Sequence, residues 1–519
     1  MNNYIAQFDR VAGIENLPAP AVWLERTAYF FLILMVVFAP HSIAASQTSF
    51  LIGTLATVLR FFTKPRTKIR RTKMDLAIGA FFLWTVVTCF FSYEVLTSLD
   101  KLRGVSLFVV FYFAINNLRN LHSLRFLVFA LILSCMVNVL WMPVERIIGR
   151  GVEIHGLSSE SPLKKALLWE GDTLLKANGK KLKDPEELVL EIQNSEKTKI
   201  DFYRPDFYFS VEVNRADLLT GDALGKLGIE SWKRSRNWRS QGFYGHYATY
   251  AEVLQLIISL VFGLFIASVG QRSKLFAKLK FSPFLLFCLG AMAFALLLTV
   301  TRASQLAFLI SAFFVVVMNG NKKLIFTLAL IAAPVALGGL YFLQQSRQVG
   351  FFDKSDDSTT HRQTVYREGL SLWLDNPRHF FFGVGMDTIG KKEYREKWHL
   401  FGDGKLSASH FHSTPIQLLA DRGLFGLLFW LGLIAAYLRT LWNGLRELKK
   451  RDESDDFDHR LKLGVILGVF GGAVGFFTSG LVHYNLGDGE VAMVFYLMMG
   501  FGVFACSLIS ADTEPENAV

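Results

Sequence analysis

Charge is scarce in this 519-residue chain. Asp, Glu, Lys and Arg make up 19% of it, against about 25% in ordinary soluble proteins. Cysteine is scarce as well. Cys89, Cys135, Cys288 and Cys506 all lie inside apolar runs and form no CxxC pair, which argues against a disulfide framework and a zinc site. No internal repeat is visible. What abounds is apolar: 52% of residues are hydrophobic, 48 are Phe, and the mean hydropathy is +0.33. Several runs exceed the ~18 residues that suggest a membrane-spanning helix. A soluble enzyme and a disordered chain are excluded.

The pattern predicts an all-α polytopic membrane protein with twelve spans, near 26–42, 46–62, 74–93, 102–117, 123–143, 245–269, 281–300, 303–319, 323–343, 413–438, 462–483 and 491–510. The first is too long for a signal peptide's apolar core and a second follows at once. The net charge of +11 fits the positive-inside rule. Loop 63–73 holds Lys64, Arg66, Lys68, Arg70, Arg71 and Lys73 without an acid, and loops 270–280, 319–323 and 439–461 are basic too. All four share one side if both termini are cytoplasmic. The surplus is then topology, and nucleic acid is not needed as a partner. Asp456-Phe457-Asp458 lies in one of these short loops and reads as solvated charge.

Two long segments face the other side, 144–244 and 344–412, and loops of that length are usually functional. The chain divides into helices 1–5 (1–149), a small α/β insert (150–215), helices 6–9 with a linker (216–343), an outer catalytic loop (344–412) and helices 10–12 (413–519). In the insert, "GVEIHGL", "KIDFYRP" and "FYFSVEV" read as strands. Asn178-Gly179 reads as a hairpin turn, and "DPEELVLEIQN" as a helix with Pro185 near its start. Ser161-Pro162, Ala166-Leu167-Leu168, Gly171-Asp172 and Asn178-Gly179 resemble a PDZ-like envelope domain, with Leu167 standing where glycine is usual. That resemblance implies a peptide or envelope protein as a partner; the alternative is a spacer.

Residues 361–376 read as an interfacial helix with Arg362, Tyr366, Leu370 and Trp373 on one stripe, closed by Pro377. Gly383-Val384-Gly385 allows a tight turn but lacks the spacing of a dinucleotide site. His410 and His412 precede the tenth span, at a spacing that shares no helix face and with no HExxH, so no metal site is expected. Arg302 sits where the seventh span turns into the eighth. Arg302, Arg362, Arg367, His410 and His412 come from separate parts of the chain and are expected on one leaflet. Arginine forks bind phosphate oxygens, and histidine moves protons near neutral pH. The joint expectation is an outward-facing site for a lipid-linked phosphate with a nearby base.

The same residues resemble the O-antigen ligase and O-antigen polymerase superfamily of bacterial membrane glycosyltransferases. The resemblance rests on "LLLTVTRASQLAF", on Arg362 and Tyr366 followed by Asn376-Pro377 and Gly383-Val384-Gly385, and on His412, Gln417, Asp421 and Gly423 to Gly426. "GFYGHYATYAEVLQL" adds His246. Ser413 stands where asparagine often follows the family histidine.

The resemblance implies glycan transfer from undecaprenyl diphosphate to an acceptor at the periplasmic face of the inner membrane, without cofactor or metal. The acceptor is lipid A core for a ligase. A repeat-unit polymerase and a protein O-oligosaccharyltransferase are alternatives within that chemistry, and a lipid-linked sugar transporter is one outside it. Arg302 and Arg362 would hold the diphosphate, and His412 would activate or orient the acceptor hydroxyl. Arg367, His410, Tyr366, His246 and Asp488 are further substrate-binding candidates.

Overall fold

The computed structural model describes residues 2–14, 17–204, 207–269, 281–320, 338, 357–402, 409–451 and 456–511. Two compact units emerge, Val139–Gly242 and the remainder.

The larger unit is helical. Among the described residues seven helices are long and apolar enough to cross a membrane: Ala19–Phe38, Leu121–Ile148, Tyr247–Ser268, Arg302–Asn319, Thr414–Lys449, Phe457–Gly480 and Gly489–Ser510. Two shorter apolar helices, Asp75–Phe90 and Ser282–Leu298, accompany them. The chain is a multi-pass membrane protein. The span expected at 323–343 falls, apart from residue 338, outside the described residues. The one expected at 102–117 is not a single helix. It is split into Val95–Val105, a 3-10 turn Ser106–Phe108 and Val109–Asn117. The first piece carries Asp100, Lys101 and Arg103, and the Ser106 hydroxyl turns back onto the Arg103 carbonyl at 2.8 Å, a local bond that favours a tightened turn.

Small residues let the central helices meet backbone to backbone. A Cβ on Gly464 would meet Leu264 Cα at 2.8 Å, and one on Gly468 would meet Leu260 Cα at 2.6 Å. Both contacts follow from an antiparallel pairing of Tyr247–Ser268 with Phe457–Gly480, the close approach that small-residue spacing permits in a bilayer. Ser282 donates to Ser268 at 3.1 Å, so Phe281–Leu298 starts where Tyr247–Ser268 ends and runs back along it, and the tight turn at 299–301 returns Arg302–Asn319 parallel to Tyr247–Ser268, with Ser311 donating to Ser259 at 2.8 Å. The starts of these two helices and the end of Phe457–Gly480 therefore lie at one end of the bundle. The opposite end is basic. There Lys449 bonds the carbonyls of Met318 and Asn319, Arg451 that of Ile509, and Arg460 that of Ala267.

Thr414–Lys449 is broken at Gly423, where φ is +67° and ψ −170°. A break strips the preceding carbonyls of their i+4 partners, which in a bilayer costs several kcal/mol per group. Here Ala420 O accepts from Val384 N–H at 2.7 Å, Asp421 O from Gly385 N–H at 3.1 Å, and Arg422 O from Trp84 Nε1 at 3.0 Å. Gly383-Val384-Gly385 is thus a backbone plug for a broken helix. Only glycine fits beside the break, since a Cβ on Gly383 would collide with the Asp421 and Ala420 backbone.

The smaller unit holds a six-stranded antiparallel sheet: β1 Arg150–Leu157, β2 Thr173–Ala177, β3 Lys180–Lys181, β4 Lys197–Arg204, β5 Phe207–Asn214 and β6 Ile229–Ser235. The order is β5-β4-β2-β1-β6, with β3 on β2. Asn178 (φ 47°) and Gly179 (φ 84°) make the hairpin turn. Asp184 caps the Pro185–Asn194 helix, accepting from Glu187 N–H at 2.8 Å, and that helix buries Leu188, Val189 and Ile192 on the sheet.

The unit runs past the expected boundary at 215. β6 pairs with β1, and Leu227 and Ile229 join the core. The short alternation of "IESWKRS" is masked in sequence by its charges. Leu167 adopts φ 65° and is 74% exposed, a left-handed conformation that glycine would take without strain. Buried Asp172 is held by Arg204 through two bonds, at 2.9 and 2.7 Å.

Gly423→Ala should destabilise the larger unit by about 3 kcal/mol or more, because a left-handed Ala is strained and its Cβ would strike the Phe381 backbone. A thermal midpoint in detergent within 1 °C of wild type would contradict this account of the break.

Candidate active site

The residues at the non-basic end of the bundle come from five segments. His246 directly precedes Tyr247–Ser268, and its ring stacks on Tyr247 with centroids 4.7 Å apart. Arg302 opens Arg302–Asn319 after a tight turn in which Thr299 and Thr301 are buried and Val300 takes φ 53°. The Thr299 hydroxyl bonds the Leu296 carbonyl at 2.7 Å, and Gln305 Nε2 reaches the same carbonyl at 3.3 Å. Those bonds satisfy the last carbonyls of the preceding helix, so a polar turn can sit at membrane depth.

His410 and His412 lie just before Thr414–Lys449, whose start is capped by the Ser413 side chain. Their rings meet edge to face at 4.3 Å. The backbone N–H of His412 donates to His410 Nδ1 at 3.1 Å. That bond needs His410 neutral, with its proton on Nε2. Burial lowers the His410 pKa, the His246 charge lowers it further, and Asp488 opposes them. His410, His246 and Asp488 are therefore close enough to feel one another. His412 has φ 48°, a conformation that is strained for a residue bearing a Cβ. Thr414 donates to Asn485 Oδ1 at 2.9 Å and its backbone N–H bonds His483 O at 3.1 Å, which locks this loop to the segment before the last helix.

The Asp357–Leu374 helix docks beside the histidines. Tyr366 Oη donates to the His412 carbonyl at 3.1 Å, and Arg362 is close enough to stabilise the Tyr366 phenolate against the burial that raises its pKa. Tyr366 thus holds the histidine loop in place. The face this helix buries in the protein runs beside the expected stripe. Val365, Gly369 and Leu372 are buried, whereas Leu370 is exposed. Gly369 allows this, because a Cβ there would meet Ile416 and Phe411. Arg367 is exposed, one residue from Tyr366 and on another face, and no contact joins it to the histidines among the described residues. Asp488 accepts from Thr249 Oγ1 at 2.6 Å and sits at the start of the last helix, where it takes Val491 N–H at 3.4 Å. It ties two helices together as well as facing His410.

Several polar residues here were missed from the sequence. Glu252, 3% exposed, lies with Oε1 3.3 Å from His483 Nδ1. Glu368 accepts Phe401 and Gly402 N–H at 2.5 and 3.0 Å and pins the 400–402 turn. Arg422 is 2% exposed and stacks over Phe81 at 5.2 Å, and its Nε and Nη1 are buried without hydrogen-bond partners. An acid or arginine inside an apolar span is the signal that could have found Glu252 and Arg422. Among the described residues no group of three or more His, Cys, Asp or Glu side chains is placed to hold a metal ion.

Residues 284–431 match the family model described as O-antigen ligase. This part of the chain is similar to the O-antigen ligase family. It contains Arg302, Arg362, Tyr366, His410, His412 and the Gly423 break, and it leaves out the insert, His246 and Asp488. No curated protein matches the chain significantly.

The histidine bond sets a pH sign. A His410 pKa below the ordinary value of about 6.5 means that the unfolded chain binds more protons, so stability falls as pH drops below about 6.5. His410→Asn offers an amide oxygen in place of Nδ1 and does not titrate. Its thermal midpoint should fall less than wild type between pH 7 and pH 5, and parallel curves would refute the assignment.

Proposed function

We propose that the chain is a membrane glycosyltransferase of the O-antigen ligase type. It moves a glycan from undecaprenyl diphosphate onto an acceptor, with lipid A core as the acceptor that defines a ligase. The observation that carries this reading is the gathering of His246, Arg302, Arg362, His410, His412 and Asp488 at one end of the bundle, within and around the stretch similar to the O-antigen ligase family. That end lies opposite the basic one. By the positive-inside rule the basic end is cytoplasmic, and in this reading the site belongs to the periplasmic leaflet of the inner membrane.

In this reading Arg302 and Arg362 grip the diphosphate and neutralise the charge that develops on it as the glycosidic bond breaks. His412 takes the proton from the acceptor hydroxyl as the new bond forms. His410, neutral and with hydrogen on Nε2, is a donor toward sugar or phosphate oxygen, and it orients His412 through the backbone bond at 3.1 Å. Arginines supply the positive charge that a metal supplies elsewhere, so the transfer is metal-independent. Residues 150–215 form the heart of a PDZ-like module that serves as an acceptor guide or spacer.

The deciding experiment is a gel of envelope glycans from a deletion strain complemented with wild type, His412→Ala or Arg362→Ala. Wild type should restore polymer on lipid A core. Each variant should insert normally and lower transfer at least about 100-fold, as removal of a base or a charge donor does. Core capped with single repeats would make the enzyme a polymerase. Loss of protein-linked glycan alone would make it a protein glycosyltransferase, and full activity in either variant would sink the site. With purified enzyme, EDTA should leave the rate unchanged, and strong inhibition would refute metal independence.

A further inference from the structure

At the basic end, away from the histidines, lies a cavity of about 240 Å³. It is lined by the Ala19–Phe38 and Ile43–Arg60 helices, by the loop after the latter, and by the end of Val109–Asn117. Arg60, Lys68, Arg70 and Arg119 face it against one acid, Glu25. Arg70 lies over the Phe504 ring at 5.1 Å, near the end of the last helix, where Arg451 bonds Ile509 O. That places the cavity at the level of the basic loops.

The internal bonds leave both charge and bonding capacity unmatched. Glu25, 3% exposed, gives one oxygen to Arg60 Nε at 2.8 Å and to Arg119 Nη2 at 3.0 Å. Its other oxygen, Oε2, is buried with no hydrogen-bond partner, and so is Thr67 Oγ1. Arg60, 4% exposed, also reaches the carbonyls of Thr63 and Pro65 at 3.4 and 2.7 Å. Arg70 Nη1 holds Ile115 O and Leu118 O at 3.2 and 3.1 Å. Backbone carbonyls thus orient the guanidiniums without neutralising them. Burial and the neighbouring Arg119 both lower the Arg70 pKa. Four cations thus line the cavity against one carboxylate.

We propose that this cavity binds the headgroup of an anionic glycerophospholipid, its phosphate on Arg70, Arg119 and Lys68. Arginine forks match phosphate oxygens, and basic pockets between membrane helices suit lipid headgroups. The surplus of positive charge disfavours an ammonium headgroup, so phosphatidylglycerol fits better than phosphatidylethanolamine or phosphatidylcholine. The site is separate from the proposed transfer chemistry and does not depend on it.

The test uses the full chain in a neutral detergent, titrated with dihexanoyl phosphatidylglycerol, the matching phosphatidylethanolamine and phosphatidylcholine, or inorganic phosphate. Thermal midpoint is the readout, since a ligand of the native state raises it. Phosphatidylglycerol should raise the midpoint saturably, with an apparent affinity at least about tenfold above each of the others. Arg70→Gln with Arg119→Gln should weaken it about tenfold or more, as loss of charge-assisted bonds does. Lys68→Gln alters an exposed side chain, so it serves if the double variant fails to fold, and it should weaken binding several-fold. An equal response to phosphatidylcholine or phosphatidylethanolamine, an equal response to inorganic phosphate, or wild-type affinity in the variants that fold would each overturn the proposal.

Discussion

The break at Gly423 is the constraint on which the rest of the larger unit turns. An apolar medium tolerates no bare carbonyl, so a helix that stops hydrogen bonding to itself must find donors nearby. Three are supplied, by Val384, Gly385 and Trp84. They come from the segment after the Asp357–Leu374 helix and from the short apolar helix Asp75–Phe90. Satisfying the break therefore welds the outer 377–400 region to the membrane core. It also sets where Asp357–Leu374 lies, and with it Arg362 and Tyr366. Tyr366 then reaches the His412 carbonyl, so the arginine helix and the histidine loop are positioned by one joint.

Electrostatics divides the bundle into two ends with different tasks. At one end neutral and cationic nitrogen groups stand beside Asp488 and Glu252, partly buried, where low polarity strengthens every charge interaction. At the other, lysines and arginines cap helix carbonyls and gather round Glu25. Both are costly in an apolar setting. In the first, hydrogen bonds such as that from Thr249 to Asp488 offset the cost. In the second, the four cations outnumber the one acid, and carbonyl contacts orient them without cancelling the excess. The helices between are held by close glycine contacts, which keep the two ends in register.

Much of this was readable from the chain. Apolar runs marked the long helices, closely for Tyr247–Ser268, expected at 245–269, and less so for Ala19–Phe38 and Thr414–Lys449, which run 7 and 11 residues beyond the expected 26–42 and 413–438. Turn chemistry marked Asn178-Gly179 and the helix start at Pro185. The polar candidates Arg302, His410 and His412 were visible because such residues are rare beside apolar spans. Other readings failed for physical reasons. The small unit was cut short at 215, because β6 pairs across a long sequence gap with β1 and its charges hide its alternation. Gly383-Val384-Gly385 was visible as a turn, but its partners lie at Ala420 and Asp421.

The sequence alone determined that this is a membrane protein of many helices with a basic end and a small sheet domain, because burial and charge placement follow from local composition. It also named the arginines and histidines that belong to the candidate site. Only the tertiary structure decided what each touches. The bonds that bring them together, from Tyr366 to His412 O, His412 N–H to His410, Thr249 to Asp488 and Val384 to Ala420, join residues through space. Three of those four link segments separated by whole helices, and only the His412–His410 bond is local. A hydrogen bond depends on distance and angle in the folded chain, and no spacing along the sequence encodes that.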